Sequence, residues 1–250
     1  MEGPVLPGAE AWSLPGGPGG ALVLHGFTGT PATVRPVAEA LARAGLAVEV
    51  PRLPGHGTRI EDMVPTRFAD WAAAVEATYL DLRARCSPVV VVGVSMGATL
   101  GCWLAARHPG IAAVVAINPL VLPAEPALVE LLGLMLDAGE TLSEGVGPDL
   151  ADPDAREIAY DRSPLAPARS LYEALEALQP DLPGITCPVL IMTSADDHVV
   201  HPDNSDHLAA RVSGPVERVR LERSFHVATL DYDRDLVAAR VVDFAGRVVP

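Results

Sequence analysis

Three kinds of side chain in this sequence could together make a nucleophile: a serine, an aspartate and a histidine, in that order. The serine is Ser95, within Gly93-Val94-Ser95-Met96-Gly97. A serine hydroxyl attacks an acyl carbon only when a base takes its proton, and a carboxylate must orient that base. His226 is the candidate base, and Asp196 and Asp197 are candidates for the carboxylate. The residue types predict nucleophilic catalysis.

The residues around Ser95 predict a sharp turn between a buried strand and a helix. An unbroken β-branched run opened by Pro88 is typical of a parallel strand covered on both faces. Glycines on either side of the serine suit a turn in which two backbones approach closely. A helix predicted from Met96 to about His108 would direct its unpaired N–H groups at the same place. The short motif alone also fits a turn without chemistry, so the rest of the chain must decide.

Strands and helices alternate along the chain in a way that could bring these side chains together. The predicted strands are 10–14, 21–24, 46–50, 88–94, 111–117, 188–193 and 216–221. The predicted helices begin near Pro31, Thr66, Met96, Pro202 and Asp233. The pattern predicts an α/β fold with a mostly parallel central sheet and helices on both faces. The first two strands are expected to pair across a Pro/Gly-rich turn.

In such a sheet, ligands bind beyond the carboxyl ends of the strands. Ser95, the Asp196/Asp197 pair and His226 each follow a predicted strand end. Their order, serine then aspartate then histidine, is the one that an α/β-hydrolase arrangement requires. This agreement favours the nucleophile interpretation over the plain turn.

Length and charge limit the classes of function. A chain of 250 residues can form one large core, so we expect a single domain, 1–250, with an insertion. Its 18 basic and 32 acidic residues give a formal charge of −14. Binding to nucleic acid or to an anionic membrane requires clustered positive charge, so both are disfavoured. A neutral or weakly polar small molecule is the expected partner.

Cysteine usage and hydropathy predict a soluble, cytoplasmic protein. Cys86, Cys102 and Cys187 are odd in number and lack C-x-x-C spacing, so neither a disulfide framework nor a zinc site is predicted. The first twenty residues carry proline and glycine where a signal peptide has an apolar run. No stretch reaches the ~18 apolar residues of a membrane span.

Five motifs taken together carry a family resemblance. They are His25-Gly26-Phe27-Thr28-Gly29, Gly55-His56-Gly57-Thr58, Gly93-Val94-Ser95-Met96-Gly97, Asp197-His198-Val199-Val200 and the segment from Ser224 to Asp231. The set resembles bacterial monoacylglycerol lipases and related carboxylesterases of the α/β-hydrolase superfamily, from about Leu22 to Asp235. The match is looser between Pro119 and Gly147, and Ala98 stands where many relatives have a second glycine.

The resemblance assigns roles that the residues alone leave open. It favours Asp197 over Asp196, because resembling sequences place the acid directly before an x-Val-Val segment. It implies an oxyanion hole made by the backbone N–H groups of Phe27 and Met96. It implies a serine carboxylester hydrolase that acts through an acyl-enzyme on monoacylglycerols or similar esters of short to medium chain length. Neither a cofactor nor a metal is expected.

The segment 119–187 is too long for a loop, and the resemblance implies that it caps the active site. Leucines and a methionine between Leu128 and Leu136 cover nearly every side of a predicted helix. Leu131 and Met135 are therefore candidates for substrate binding, although ordinary packing within the cap explains them as well. Glu157 lies in a segment resembling one that contacts the glycerol group, and a solvated helix face is the alternative. Transient lipid contact through the cap, and a monomer or homodimer, are expected.

Two rival functions remain from the sequence. The same fold could cleave thioesters or carbon–carbon bonds, and sequence separates these poorly from esters. A ligand-binding receptor that reuses the hydrolase pocket is the rival outside enzymes, and a complete Ser95, Asp197 and His226 set disfavours it. Labelling of Ser95 by a fluorophosphonate would separate an enzyme from a receptor.

Overall fold

The valine run before Ser95 forms the central strand of a seven-stranded sheet in the computed structural model, which describes residues 2–249. The strands of this sheet are β1 Trp12–Leu14, β2 Gly20–Leu24, β3 Ala47–Val50, β4 Val89–Val94, β5 Ile111–Ile117, β8 Val189–Ser194 and β9 Val216–Leu221. Their spatial order is β1-β3-β2-β4-β5-β8-β9. Only β1 runs antiparallel to its neighbour among these strands. The predicted mostly parallel sheet is confirmed.

Helices cover both faces of this sheet. The helices of the described residues are α1 Pro31–Arg43, α2 Ile60–Met63, α3 Phe68–Arg85, α4 Met96–Arg107, α5 Pro126–Asp137, α6 Leu165–Leu178, α7 Asp203–Arg211 and α8 Arg234–Val248. Of these, α3, α4 and α7 pack on one face of the sheet, and α1 and α8 pack on the other. Side chains of β4 alternate between the two cores: Val89 and Val91 pack with α3 and α4, whereas Val90 and Val92 pack with α1 and α8. Because both faces are apolar, the strand reads as one valine run rather than an alternating pattern.

The expected pairing of the first two strands is wrong. β1 pairs with β3, Trp12 opposite Val50 and Leu14 opposite Val48, and β3 separates it from β2. The Pro/Gly-rich connection is longer than a tight hairpin turn, and it lies against the start of β3. Gly17 donates its N–H to the carbonyl of Gly45 at 2.7 Å. Turn composition therefore predicted a reversal of direction but not which strand is the neighbour.

The chain between β5 and β8 forms a separate small structure beyond the carboxyl end of the sheet. It contains α5, a two-stranded antiparallel sheet of β6 Leu142–Glu144 and β7 Arg162–Pro164, α6, and a 3₁₀ turn at Leu182–Gly184. We call the part from Asn118 to Pro188 the inserted segment. Residues 155–160 within it are neither helix nor strand, so the alternative of a solvated helix face at Glu157 is wrong. No helix within residues 2–249 combines the length and hydropathy of a bilayer span.

Candidate active site

Ser95 occupies the turn between β4 and α4 in a backbone conformation that few residues adopt. Its φ is 54° and its ψ is −119°, and its N–H donates to the carbonyl of Ile117 at 3.0 Å. A Cβ on Gly93 would collide with the backbone of Gly97, and one on Gly97 would collide with the backbone of Leu24. The two glycines therefore permit a turn that holds the serine in a strained geometry.

His226 and Asp197 form a direct pair beside this turn. His226 Nδ1 lies 2.7 Å from Asp197 Oδ2, and the two side chains are 10% and 1% exposed. A carboxylate only accepts hydrogen bonds, so Nδ1 carries the hydrogen and Nε2 keeps a free lone pair. The other carboxylate oxygen accepts the N–H groups of Val199 at 2.9 Å and Val200 at 2.7 Å. Asp196 is exposed.

The loop that carries His226 is held by a buried asparagine that the sequence analysis did not identify. Asn118 Nδ2 donates to the carbonyl of His226 at 2.8 Å and to Ser194 Oγ at 2.9 Å. Its Oδ1 accepts the N–H of Ser194 at 2.7 Å, and its φ is 44°. The ends of β5 and β8 are thus tied to the histidine loop. A single Asn after a strand gives no sequence signal for this role, because its partners are distant in the chain.

Ser95 and His226 line one cavity of about 420 Å³. Phe27 and Glu157 line it too. The apolar part of the lining comes from Leu120, Leu128, Leu132, Leu165, Leu171, Tyr172, Val199 and Val200. The inserted segment therefore supplies one wall of the space into which the serine opens.

The proposed oxyanion donors are both available. Neither the N–H of Met96 nor that of Phe27 donates a hydrogen bond within the described part of the chain. Met96 is the first residue of α4, so the helix dipole reinforces its N–H. Both residues adjoin the cavity, one through its neighbour Ser95 and one directly. The arrangement can accept a negative oxygen.

His25 holds the loop that carries Phe27. Its Nε2 accepts the N–H of Leu53 at 3.2 Å, and its Nδ1 donates to the carbonyl of Gly26 at 2.9 Å. Burial lowers the pKa of His25 to about 4, against a smaller raising effect of the Gly26 carbonyl. Both ring nitrogens are used by a neutral imidazole, so this histidine is structural.

The residues of α5 that line the cavity are not the predicted ones. Leu131 is 52% exposed, and neither it nor Met135 belongs to the cavity lining. Leu128 and Leu132 line the cavity instead. Because α5 is apolar on nearly every side, its sequence does not show which residues face the cavity. The expected lining is therefore corrected from Leu131 and Met135 to Leu128 and Leu132.

Glu157 faces the cavity as a mostly buried carboxyl group. Thr33 Oγ1 donates to its Oε1 at 3.2 Å. Burial raises the pKa of Glu157, while the Thr33 hydrogen bond and the charge of His226 lower it. Its second carboxylate oxygen has no hydrogen bond partner within residues 2–249. Glu157 can therefore bind a polar group in the cavity.

Two aspartates that follow His226 accept backbone N–H groups around the histidine loop. Asp231 is fully buried and accepts the N–H groups of Ala151 and Phe225, at 2.8 and 2.9 Å. Asp233 accepts those of Arg223 and Ser224. These carboxylates shape the histidine loop. Within residues 2–249, no group of three or more His, Cys, Asp and Glu side chains is placed to hold a metal ion.

Comparison with known families and proteins gives a consistent result. The family model described as "Serine aminopeptidase, S33" matches residues 19–233. The chain is 45% identical over 245 residues to a thermostable monoacylglycerol lipase of Bacillus sp. (strain H-257), covering 96% of each chain. It is 25% identical over 238 residues to a carboxylesterase of Bacillus subtilis (strain 168), covering 94% of this chain and 95% of that one.

A solved structure is similar over nearly the whole chain. It comes from work on LipS and LipT, described as two metagenome-derived lipolytic enzymes. The TM-score is 0.93 at 36% sequence identity, and the match covers 98% of this chain and 100% of that chain. The similarity therefore includes the inserted segment as well as the sheet.

Proposed function

We propose that this chain, a serine ester hydrolase, cleaves monoacylglycerols through Ser95, Asp197 and His226. The chain belongs to the serine aminopeptidase S33 family of the α/β-hydrolase superfamily. The observation that carries the assignment of residues is the His226–Asp197 contact of 2.7 Å beside a cavity that Ser95 also lines. The 45% identity to a monoacylglycerol lipase supports the substrate class.

In the first step, Ser95 Oγ attacks the carbonyl carbon of the ester. His226 Nε2 takes the serine proton, and Asp197 stabilises the imidazolium through Nδ1–H. The carbonyl oxygen becomes negative and is bound by the N–H groups of Phe27 and Met96. The C–O bond to glycerol then breaks, and His226 returns the proton to the leaving oxygen. Glycerol leaves, and the acyl group remains on Ser95.

In the second step, a water molecule attacks the acyl carbon while His226 takes one of its protons. The same backbone N–H groups bind the oxygen again. Collapse of this intermediate releases the fatty acid, and the proton on His226 returns to Ser95 Oγ. The side chains thus return to their starting protonation state.

The composition of the cavity supports an ester with one apolar and one polar part. The leucines of α5 and α6 offer an apolar surface for an acyl chain. Glu157, close to the loop of Phe27, offers an oxygen to the hydroxyl groups of a glycerol. A cavity of about 420 Å³ suits one acyl chain better than two or three.

The assignment of Ser95 is tested by the rate of hydrolysis of a p-nitrophenyl acyl ester. We expect the Ser95→Ala variant to lose about 10⁴-fold or more in kcat, because loss of a nucleophile removes the covalent route. Ser143 lines the same cavity, so Ser143→Ala is the matched control and is expected to remain near the wild-type rate. Wild-type turnover by Ser95→Ala would contradict the proposal.

The substrate class is tested by comparing mono-, di- and triacylglycerols of the same chain length. We expect the monoacylglycerol to be hydrolysed fastest, since the inserted segment walls one side of a cavity whose volume of about 420 Å³ suits one acyl chain. A preference for triacylglycerols, or for acyl thioesters over esters, would overturn this part of the proposal. A cytoplasmic location and a monomeric or dimeric state stay predictions from the sequence.

A further inference from the structure

One buried carboxylate in the inserted segment contacts both loops that carry the histidine and the acid. Asp149, between β6 and β7, has a side chain 12% exposed. Its Oδ2 accepts the backbone N–H of His226 at 3.0 Å and that of His198 at 3.1 Å. Its Oδ1 lies 2.9 Å from Nδ1 of His198, the residue directly after Asp197. The carboxylate therefore bridges the two loops.

A second carboxylate makes the reverse connection. Asp231, on the histidine loop, accepts the N–H groups of Ala151 and Asp152 at 2.8 and 2.9 Å. The N–H of Val227 also donates to the carbonyl of Asp149 at 3.2 Å. Residues 149–152 are thus fastened to residues 225–231 from both sides.

From these contacts we propose that Asp149 is a positioning residue that aligns His226 and the Asp197 loop. The base is then correctly placed only while residues 149–152 keep their contacts with residues 225–231. The inference rests on the proposed role of His226. Asp149 holds the backbone N–H of the base itself, so a shift of the segment moves the imidazole directly. Misplacement of a catalytic group by about 1 Å can cost about 100-fold in rate.

The geometry separates this role from catalysis by Asp149 itself. Its two oxygens already receive hydrogen bonds from His226 and from two groups of His198. Asp149 contacts His226 only at the backbone N–H, whereas Asp197 holds the imidazole ring. No local motif marks Asp149, because all these partners are distant along the chain.

The test is Asp149→Asn compared with Asp154→Asn. The asparagine keeps the shape but has one acceptor oxygen and no charge, so its NH₂ must face either the two backbone N–H groups or Nδ1 of His198. Asp154 lies in the same segment, is exposed, and its side chain accepts no hydrogen bond in residues 2–249. For a p-nitrophenyl ester, we expect Asp149→Asn to lower kcat by about 10- to 100-fold with little change in KM. Asp154→Asn should match the wild type.

A spectroscopic measurement distinguishes positioning from loss of stability. The hydrogen of His226 Nδ1, bonded to Asp197, should give a far-downfield proton NMR signal in the wild type and in Asp154→Asn. In Asp149→Asn we expect this signal to broaden or disappear at a temperature where circular dichroism shows a folded protein. An unchanged signal with unchanged kcat, or a lower Tm alone, would overturn the proposal.

Two further outcomes remain decisive if the variant does not fold or the ester is not cleaved. In the wild type, the backbone amide of His226 should exchange slowly with solvent, because Asp149 accepts its hydrogen. Exchange as fast as that of an exposed loop amide would overturn the proposal. If the wild type hydrolyses no ester, the proposed function fails, while the NMR signal and amide exchange still decide the role of Asp149.

Discussion

The chemistry of this protein depends on how few hydrogen-bonding choices its central residues have. Asp197 uses one oxygen for the Val199 and Val200 amides and the other for His226. With Nδ1–H fixed in this way, Nε2 keeps a lone pair, and His226 lines the same cavity as Ser95. Ser95 has a φ of 54° because it occupies the sharp turn between β4 and α4. Backbone amides thus orient Asp197, and Asp197 orients the ring of His226.

Sequence reasoning could find those residues that belong to local motifs. Ser95, Asp197 and His226 each follow a strand end, and the structure brings Asp197 and His226 together. Sequence reasoning could not find the roles of Asn118, Asp149 and Asp231. Each of these residues bonds a backbone N–H or carbonyl group that is 77 or more residues away. A backbone partner leaves no mark in the sequence, so such positioning residues emerge only from coordinates.

At the residue scale, Glu157 should affect glycerol esters selectively. We expect Glu157→Gln to lower kcat/KM for a monoacylglycerol by about 10-fold or more, because a hydrogen bond to a charged acceptor is replaced by a weaker one. Hydrolysis of a p-nitrophenyl ester, which has no glycerol, should change little. Steady-state kinetics on both substrates checks this. An equal loss on both would indicate a general defect rather than recognition of the alcohol.

Among the elements, the turn between β4 and α4 is the most constrained. The backbone of Gly97 lies against Leu24 of β2, and Gly93 lies against Gly97. The strand and the helix can therefore cross only where both residues lack a Cβ. This local requirement is why the motif predicted the turn correctly, with α4 beginning at Met96.

At the element scale, Gly97→Ala should therefore be costly. We expect a loss of about 3 kcal/mol or more in the free energy of unfolding, because the added methyl meets backbone atoms that cannot repack. Gly246 lies inside α8 with open space around its Cβ position, so Gly246→Ala is the control. It should stabilise by up to about 1 kcal/mol. Urea unfolding measures both, and similar values for the two variants would contradict the account.

Other elements show where local patterns stop being informative. Strands β5 and β9 have the predicted bounds. β5 is a buried apolar run, which is a strong local signal, whereas β9 mixes valine and leucine with charged residues. The β6–β7 hairpin was not predicted, because its three-residue strands are too short to show alternation. Thr30 stands at the N-cap of α1, but its hydroxyl donates to the carbonyl of Ile158 at 3.0 Å instead of capping. Tertiary contacts decided both cases.

Across the whole molecule, two neutral histidines are part of the folded core beneath the site. His25 and His56 are fully buried, and their ring centroids are 5.0 Å apart. Burial lowers the pKa of His25 to about 4 and that of His56 well below its usual value. In the unfolded chain both would bind protons near pH 6.5. The folded state therefore excludes protons that the unfolded state accepts.

At the scale of the whole molecule, stability should consequently fall as the pH falls below about 6.5. Between pH 7 and pH 5, His25 alone should remove about 2 kcal/mol from the free energy of unfolding. Below about pH 4 its contribution stops growing, because the folded state also binds the proton. Urea unfolding at both pH values, with NMR titration of the histidine C2 protons, tests this. Titration of His25 near pH 6.5 in the folded protein would contradict it.

If the proposed function is correct, one histidine–aspartate pair activates one serine of this chain. The most direct measurement is mass spectrometry after treatment with a fluorophosphonate, which reacts with activated serines. We expect one adduct per chain, on the peptide containing Ser95, formed much more slowly in Asp197→Asn. An adduct on another serine, or hydrolysis of esters by a protein that carries no adduct at Ser95, would contradict it.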